Sequence, residues 1–295
     1  MTETSVGSVG LMPFRDGHTW FRTAVSPSGT TPLLLVHGGP GGGHDYLLPL
    51  IDLLGADRTI VLYDQTGCGN STARPDWPDE AFTVELFLEE LTALAEYLDL
   101  GRFHLFGHSW GGMLAAEYAL FHPEQTASLT LCSTASSASR MMASILPLYA
   151  ALAAEGVPPE QFMDVFCARH ICRIVPLPEG LARSLAMVTQ NPQVNQAMTA
   201  SDENGEVVGT LRGWTCEDRL AHLSVPTLVM HGEFDELGPV AHQPFLELIP
   251  GVRGYVFRGA SHASYAESPE EFRQVVGAFL AEHDGPDPAG VETSI

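Results

Sequence analysis

At 295 residues, with hydrophobic residues at 45% and charged residues at 17%, the chain has the apolar content to bury a large core and does not read as disordered. Its formal net charge of −22 argues against a nucleic-acid surface or an anionic membrane as principal partner, because both need clustered positive charge. All 14 basic side chains are arginine, which excludes Schiff-base and P-loop lysine chemistry, and five scattered cysteines (Cys68, Cys132, Cys167, Cys172, Cys216) with no CxxC pair offer neither a disulfide framework nor a zinc site.

A reducing, cytoplasmic setting is therefore expected. Residues 1–17 lack a basic start followed by an apolar run, and no later stretch reaches membrane-spanning length without charge, glycine or proline, so neither export nor a membrane anchor is expected. Apolar Leu33 to Val36 runs into His37-Gly38-Gly39-Pro40-Gly41, and Thr59 to Tyr63 runs into Asp64-Gln65-Thr66-Gly67-Cys68-Gly69; both read as buried strands emptying into loops. From Thr83 to Leu98, Val84, Phe87, Leu88, Leu91, Leu94, Ala95 and Leu98 fall at helical spacing opposite Glu85, Glu89, Glu90 and Glu96. Phe103 to Phe106 predicts a strand, Gly107 to Gly111 a turn, Gly112 to Phe121 a helix and Ser128 to Cys132 a strand.

From Ala138 to Trp214 strand-like runs disappear, and short helical segments are broken at Val157-Pro158-Pro159 and Val175-Pro176-Leu177-Pro178. Strand character returns at Pro226 to His231 and Gly254 to Phe257, and Glu270 to Glu282 predicts a last helix. Alternating buried strands and amphipathic helices predict an α/β protein with a mostly parallel sheet covered on both faces. Residues 1–137 and 215–283 are assigned to that core, 138–214 to an inserted helical cap and 284–295 to a loose tail.

Gly107-His108-Ser109-Trp110-Gly111 is a GxSxG element between an apolar strand and a helix, the setting of a nucleophile elbow in the α/β-hydrolase fold. A serine hydroxyl needs a base to take its proton and an acid to orient that base, and in this fold they follow in the order Ser, Asp or Glu, His. Asp235 lies just past the apolar run Thr227 to Met230, and His262 just past Tyr255 to Phe257, so Ser109, Asp235 and His262 all fall beyond the C-terminal ends of strands, where open sheets place their sites. An oxyanion hole needs two converging backbone N–H groups; Trp110 supplies the one after the nucleophile, and the loop at Gly38 and Gly39 is expected to supply the other. His37 and His108 lie beside the site and are expected to fix loops through hydrogen bonds.

Together these runs resemble the proline iminopeptidase family of α/β-hydrolases, over about Leu33 to Leu280. The likeness rests on HGGPG at His37 to Gly41, DQxGCGxS at Asp64 to Ser71, GHSWGG at Gly107 to Gly112, Gly209-Thr210-Leu211 with Trp214, Asp218-Arg219-Leu220, and HGEFDE at His231 to Glu236. It implies an enzyme that removes an N-terminal aminoacyl group from an amide without metal or cofactor, with Gly39 and Trp110 giving the oxyanion N–H groups and Glu236 binding the substrate's free ammonium. Where the family carries a second amine-binding glutamate in the cap, this sequence aligns Asn204, flanked by Glu203 and Glu206; the resemblance makes these three the cap-side candidates for amine binding, and either a neighbouring glutamate substitutes for the missing carboxylate or amine recognition is weaker. Some relatives remove an aminoacyl protecting group from a polyketide amine, as in macrolactam assembly; the altered cap motif and an apolar, Met-containing lid suit that variant, because such a lid encloses an apolar leaving group. The expected partner is a small molecule or short peptide with a free amine. A carboxylesterase or thioesterase, and a non-catalytic ligand-binding member of the fold, stand as alternatives, and oligomeric state is left open by the sequence.

Overall fold

The structure is a computed structural model that describes residues 7–26 and 30–285. Eight strands form one sheet in the order β1-β2-β4-β3-β5-β6-β7-β8: β1 (Ser8–Phe14), β2 (Gly17–Ala24), β3 (Leu33–Val36), β4 (Ile60–Tyr63), β5 (Phe103–His108), β6 (Thr126–Cys132), β7 (Thr227–Gly232) and β8 (Arg253–Phe257). β1 and β2 pair antiparallel, as do β2 and β4, while β4, β3, β5, β6, β7 and β8 are parallel. The central strands β3 to β7 are buried at every position, because helices cover both faces. That is why their sequences read as continuous apolar runs rather than alternating ones.

Helices α1 (Pro49–Leu54), α2 (Val84–Tyr97) and α3 (Trp110–Phe121) follow β3, β4 and β5, and α8 (Pro239–Leu248), α9 (Ser264–Glu267) and α10 (Pro269–Glu282) follow β7 and β8. The Thr83 hydroxyl accepts the Leu86 N–H and starts α2, as an N-cap does. Between β6 and β7 the chain passes through α4 (Ala138–Ala154), α5 (Phe162–Phe166), a π-helical turn at Cys167–Ile171, α6 (Glu179–Gln190) and α7 (Gln193–Thr199). Two apolar clusters fill the space on either side of the sheet, one around Phe87, Leu91, Trp110 and Leu114, the other around Leu47, Leu62, Phe106 and Phe272.

Three departures from the sequence reading have physical causes. The β1–β2 hairpin is not predicted, because apolar residues occupy both faces of β1: Met12 and Phe14 turn inward while Val9 and Leu11 remain 59% and 53% exposed on the edge strand, so hydropathy does not alternate although burial does. β5 continues through Gly107 and His108, and α3 begins at Trp110 instead of Gly112, so Ser109 alone makes the turn between them. Asp284, assigned to a loose tail, is held: its carboxylate accepts from both terminal nitrogens of buried Arg58 (3.0 and 3.2 Å) and lies 3.1 Å from His104 Nε2, while Gly285 N–H donates to Thr31. The remainder of that tail lies outside the described residues. No helix among the described residues is long and apolar enough to cross a membrane.

Candidate active site

Ser109 stands at φ +57°, ψ −127°, in the left-handed half of backbone space, between the last residue of β5 and the first of α3. Such a turn leaves no room beside it: a Cβ at Gly107 would meet the Gly111 carbonyl oxygen at 2.2 Å, and one at Gly111 would meet the Val36 carbonyl oxygen at 2.2 Å. The turn is pinned from β6, since Ser109 N–H donates to the Cys132 carbonyl (3.0 Å) and Thr134 Oγ1 donates to the Ser109 carbonyl (2.7 Å). The N-terminus of α3, with its partial positive charge, begins directly after the serine.

Asp235 follows β7 and His262 follows β8, and the two side chains meet: His262 Nδ1 lies 2.7 Å from Asp235 Oδ1. Leu237 N–H donates to the same oxygen at 2.9 Å, which fixes the carboxylate plane. Burial opposes charge on both groups, yet each holds the other ionised, so Asp235 is drawn down to about 2 and His262 is pushed up to about 9, with Glu236 and Glu267 adding to the histidine's shift. Asp235 Oδ2 is buried with no hydrogen-bond partner among the described residues.

Ser109 and His262 line one cavity of about 390 Å³ together with Gly38, Gly39 and Glu236. Its other wall comes from the segment between β6 and β7 and is apolar, with Tyr149, Met163, Phe166, Ile171, Leu181 and Leu185. Among the described residues lining it, Glu236 is the one carboxylate, and His262 Nε2 stands 3.7 Å from Glu236 Oε1. The Ser144 hydroxyl donates to the Glu236 carbonyl at 2.6 Å and so ties this stretch to α4. Among the described residues no acceptor engages the backbone N–H of Gly39 or of Trp110. Nor does any group of three or more His, Cys, Asp and Glu converge there in the manner of a metal site.

Glu203, Asn204 and Glu206 are not brought to this cavity. Asp202 Oδ1 accepts the N–H groups of Asn204 and Glu206, each at 2.9 Å, closing an exposed turn between the bridged residues Ser201 and Val207. Asn204 and Glu206 border a different depression, with Arg140, Leu146 and Trp214, which shares no lining residue with the first. The polar side chains that the cap does bring to the cavity include Ser184, Thr189 and Asn195, the last with its amide donating to the Pro40 carbonyl at 3.1 Å.

His108 and His37 do fix loops through hydrogen bonds, as expected, but their partners Tyr46 and Gln65 and a third tether are absent from the sequence reading. Gly38 N–H donates to the Tyr46 hydroxyl (2.6 Å), Tyr46 lies 3.0 Å from His108 Nδ1, and His108 Nε2 lies 2.9 Å from the His262 carbonyl. Burial, reinforced by His262 nearby, lowers His108 to about 3, so the ring is neutral. One direction then satisfies every group: Tyr46 donates to Nδ1 and Nε2–H donates to the His262 carbonyl. A second chain runs from Trp110 Nε1–H to Gln65 Oε1 (2.8 Å) and from the Gln65 amide to the His37 carbonyl (2.8 Å), while Gln65 N–H donates to His37 Nε2 (3.0 Å). The π-helical turn supplies a third tether, its His170 and Ile171 carbonyls accepting the N–H groups of His262 and Ala263 at 3.0 and 2.9 Å.

Tyr46→Phe tests the first chain. It strands the buried Gly38 N–H, so unfolding stability should fall by ~1–3 kcal/mol, and kcat should fall about tenfold with KM little changed. Denaturant melts and steady-state kinetics check both; a variant with unaltered kcat shows that the tether does not reach the chemistry.

A parallel sheet with antiparallel β1–β2 at its edge, a serine on a strand-to-helix turn and an Asp–His pair at later strand ends define an α/β-hydrolase. A family profile described as "alpha/beta hydrolase fold" matches residues 31–165. The proline iminopeptidase of Lactobacillus helveticus (strain DPC 4571) is 34% identical over 293 residues, covering 93% of this chain and 98% of the relative. Among solved structures, proline iminopeptidase of Mycobacterium smegmatis superposes with a TM-score of 0.85 at 39% identity, covering 94% of this chain and 98% of the other. VinJ superposes with a TM-score of 0.86 at 36% identity, covering 94% and 99%. The chain belongs to the proline iminopeptidase family and is an enzyme of the hydrolase class.

Proposed function

We propose that this hydrolase removes an aminoacyl group bearing a free amine, such as prolyl or alanyl, from an amide. The supporting observation is the meeting, in one cavity, of Ser109, a His262 backed by buried Asp235, and the lone carboxylate Glu236. Ser109 Oγ attacks the carbonyl carbon while His262 Nε2 takes its proton, and Asp235 stabilises the imidazolium. The N–H groups of Gly39 and Trp110 hold the oxyanion of the tetrahedral intermediate. His262 then protonates the departing nitrogen, the C–N bond breaks, and water activated by the same ring clears the acyl-enzyme. Glu236 binds the ammonium by a charge-assisted contact, which selects a free amine over an acylated one.

For the leaving amine we propose an apolar group, and specifically the amine of an aminoacylated polyketide. In support, the wall of the cavity contributed by the segment between β6 and β7 offers Met163, Phe166, Ile171, Leu181 and Leu185. The name proline iminopeptidase among the relatives favours a prolyl acyl half. The test compares alanyl and prolyl p-nitroanilides with their N-acetylated forms and then varies the amine from anilide to long-chain alkyl. The free-amine substrates should turn over at least about a hundredfold faster, as loss of a buried charged contact implies. Equal rates would contradict amine recognition and point to a general ester or thioester hydrolase.

A further inference from the structure

Glu236 is placed to do more than meet a substrate. Its carboxylate side chain is only 17% exposed, and among the described residues no donor hydrogen-bonds to it. The nearest cationic group is the catalytic imidazole, with Nε2 3.7 Å away. That nitrogen is the one that must accept the Ser109 proton, and among the described residues it makes no hydrogen bond to Ser109 Oγ. The ring is thus flanked by a carboxylate on each nitrogen, Asp235 at Nδ1 and Glu236 at Nε2.

We propose that in the empty enzyme Glu236 pairs with protonated His262 and holds the base out of action, and that a substrate ammonium releases it by taking the carboxylate. This rests on the amine-binding reading of Glu236. When the ammonium docks, Glu236 is neutralised, Nε2 gives its proton to solvent, and the freed ring can accept the Ser109 proton. A substrate without a cation leaves the pair intact. Amine selectivity then arises twice, once in binding and once in switching on the base.

The other charged or titratable groups around the ring do not supply this switch. Asp235 is fully buried and bonded to Nδ1 throughout. His108, with ring centroids 4.6 Å apart, is neutral. Glu267 is engaged by Ser261 N–H and Oγ and by Arg173 N–H, and His242, lowered to about 4 by burial, is neutral and stacked on His231. The π-helical turn gives the His170 carbonyl to the His262 N–H, and its His170 ring is engaged elsewhere, with Nδ1 2.9 Å from the Phe234 carbonyl. Burial raises Glu236 and His262 draws it back, whereas burial, with Glu236 adding to it, raises both Tyr149 and Cys167, so each keeps its hydrogen and neither competes as a cation.

The deciding experiment compares the unmodified chain with Glu236→Gln on p-nitrophenyl acetate and on alanyl p-nitroanilide across pH 5–10 (about that span, to bracket the histidine). With the neutral ester, the acid limb of kcat/KM should move down by about one to three pH units in the variant, as expected for losing a charge within 4 Å. At neutral pH the ester rate should therefore rise about tenfold or more, while the anilide rate falls. An ester limb that stays in place while the anilide rate falls overturns the proposal and leaves amine recognition standing. An anilide rate that does not fall overturns amine recognition and the proposal with it. NMR titration of His262 in Ser109→Ala gives a readout free of turnover: saturation with alaninol, a small ammonium, should lower its midpoint by about one unit or more, and an unmoved midpoint overturns the proposal.

Discussion

Ser109→Ala is expected to reduce kcat by a factor on the order of 10⁴ or more on any amide substrate, leaving only the rate given by binding and oxyanion contacts. The change should cost little stability. Ser109 is held in its turn by its backbone N–H and carbonyl, to Cys132 and Thr134, and its hydroxyl makes no hydrogen bond among the described residues. Alanine carries the same Cβ into the same left-handed backbone, so unfolding free energy should stay within ~0.5 kcal/mol of the parent. Reaction with a fluorophosphonate probe separates the two effects: the parent should be labelled and the folded variant should not. A variant that keeps near-parental turnover would remove Ser109 from the chemistry.

How far the site could be read in advance depends on the range of each interaction. The placing of Ser109, Asp235 and His262 together was legible because Ser109 directly follows a strand run and the other two lie a short turn past theirs, and the parallel sheet carries those three ends to one edge. Glu236 came with Asp235, being its neighbour. Tyr46, by contrast, sits in His-Asp-Tyr-Leu, where nothing in the periodicity shows that its hydroxyl joins Gly38 to His108, 62 residues further on. Gln65 reaches Trp110 across 45 residues, and the π-helical turn reaches His262 across more than 90. Such contacts are fixed by how layers stack, not by local pattern.

The cap shows the opposite failure. Placing Asn204 at a family position treats the chain between α7 and Gly209 as if its path were given by spacing alone. Asp202 instead folds that stretch on itself, and Asn195, nine residues before Asn204, reaches the cavity. Short polar side chains that accept backbone N–H groups two to four residues ahead redirect a loop locally. Asp284 belongs with the long-range contacts instead, since its bonds to Arg58 and His104 span most of the chain and leave no local trace.

Asp235→Asn should lower kcat by about 10⁴, the loss seen when an orienting carboxylate becomes an amide. Oδ1 already accepts two N–H groups, from Leu237 and His262, so the new amide can keep its carbonyl there only by putting NH₂ at the buried Oδ2 position, which has no partner. The other orientation gives Nδ1 a donor, which moves the histidine proton to Nε2, where it cannot accept from Ser109. Either arrangement also removes the charge that most strongly sustains the imidazolium against burial, so the residual activity should extend about one to three pH units further into acid than the parent's. Stability carries a matching sign. His262 is raised from 6.5 to about 9 on folding, so its contribution is full below pH 6.5 and is lost as pH rises through 9. Asp235 is lowered from 3.8 to about 2, so its contribution is full above pH 3.8 and is lost as pH falls through 2. The parent should therefore lose stability to urea between pH 6.5 and 9, and the variant should show a flatter profile over the same interval. A variant with parental pH dependence would mean that Glu236 and Glu267, not Asp235, set the charge on His262.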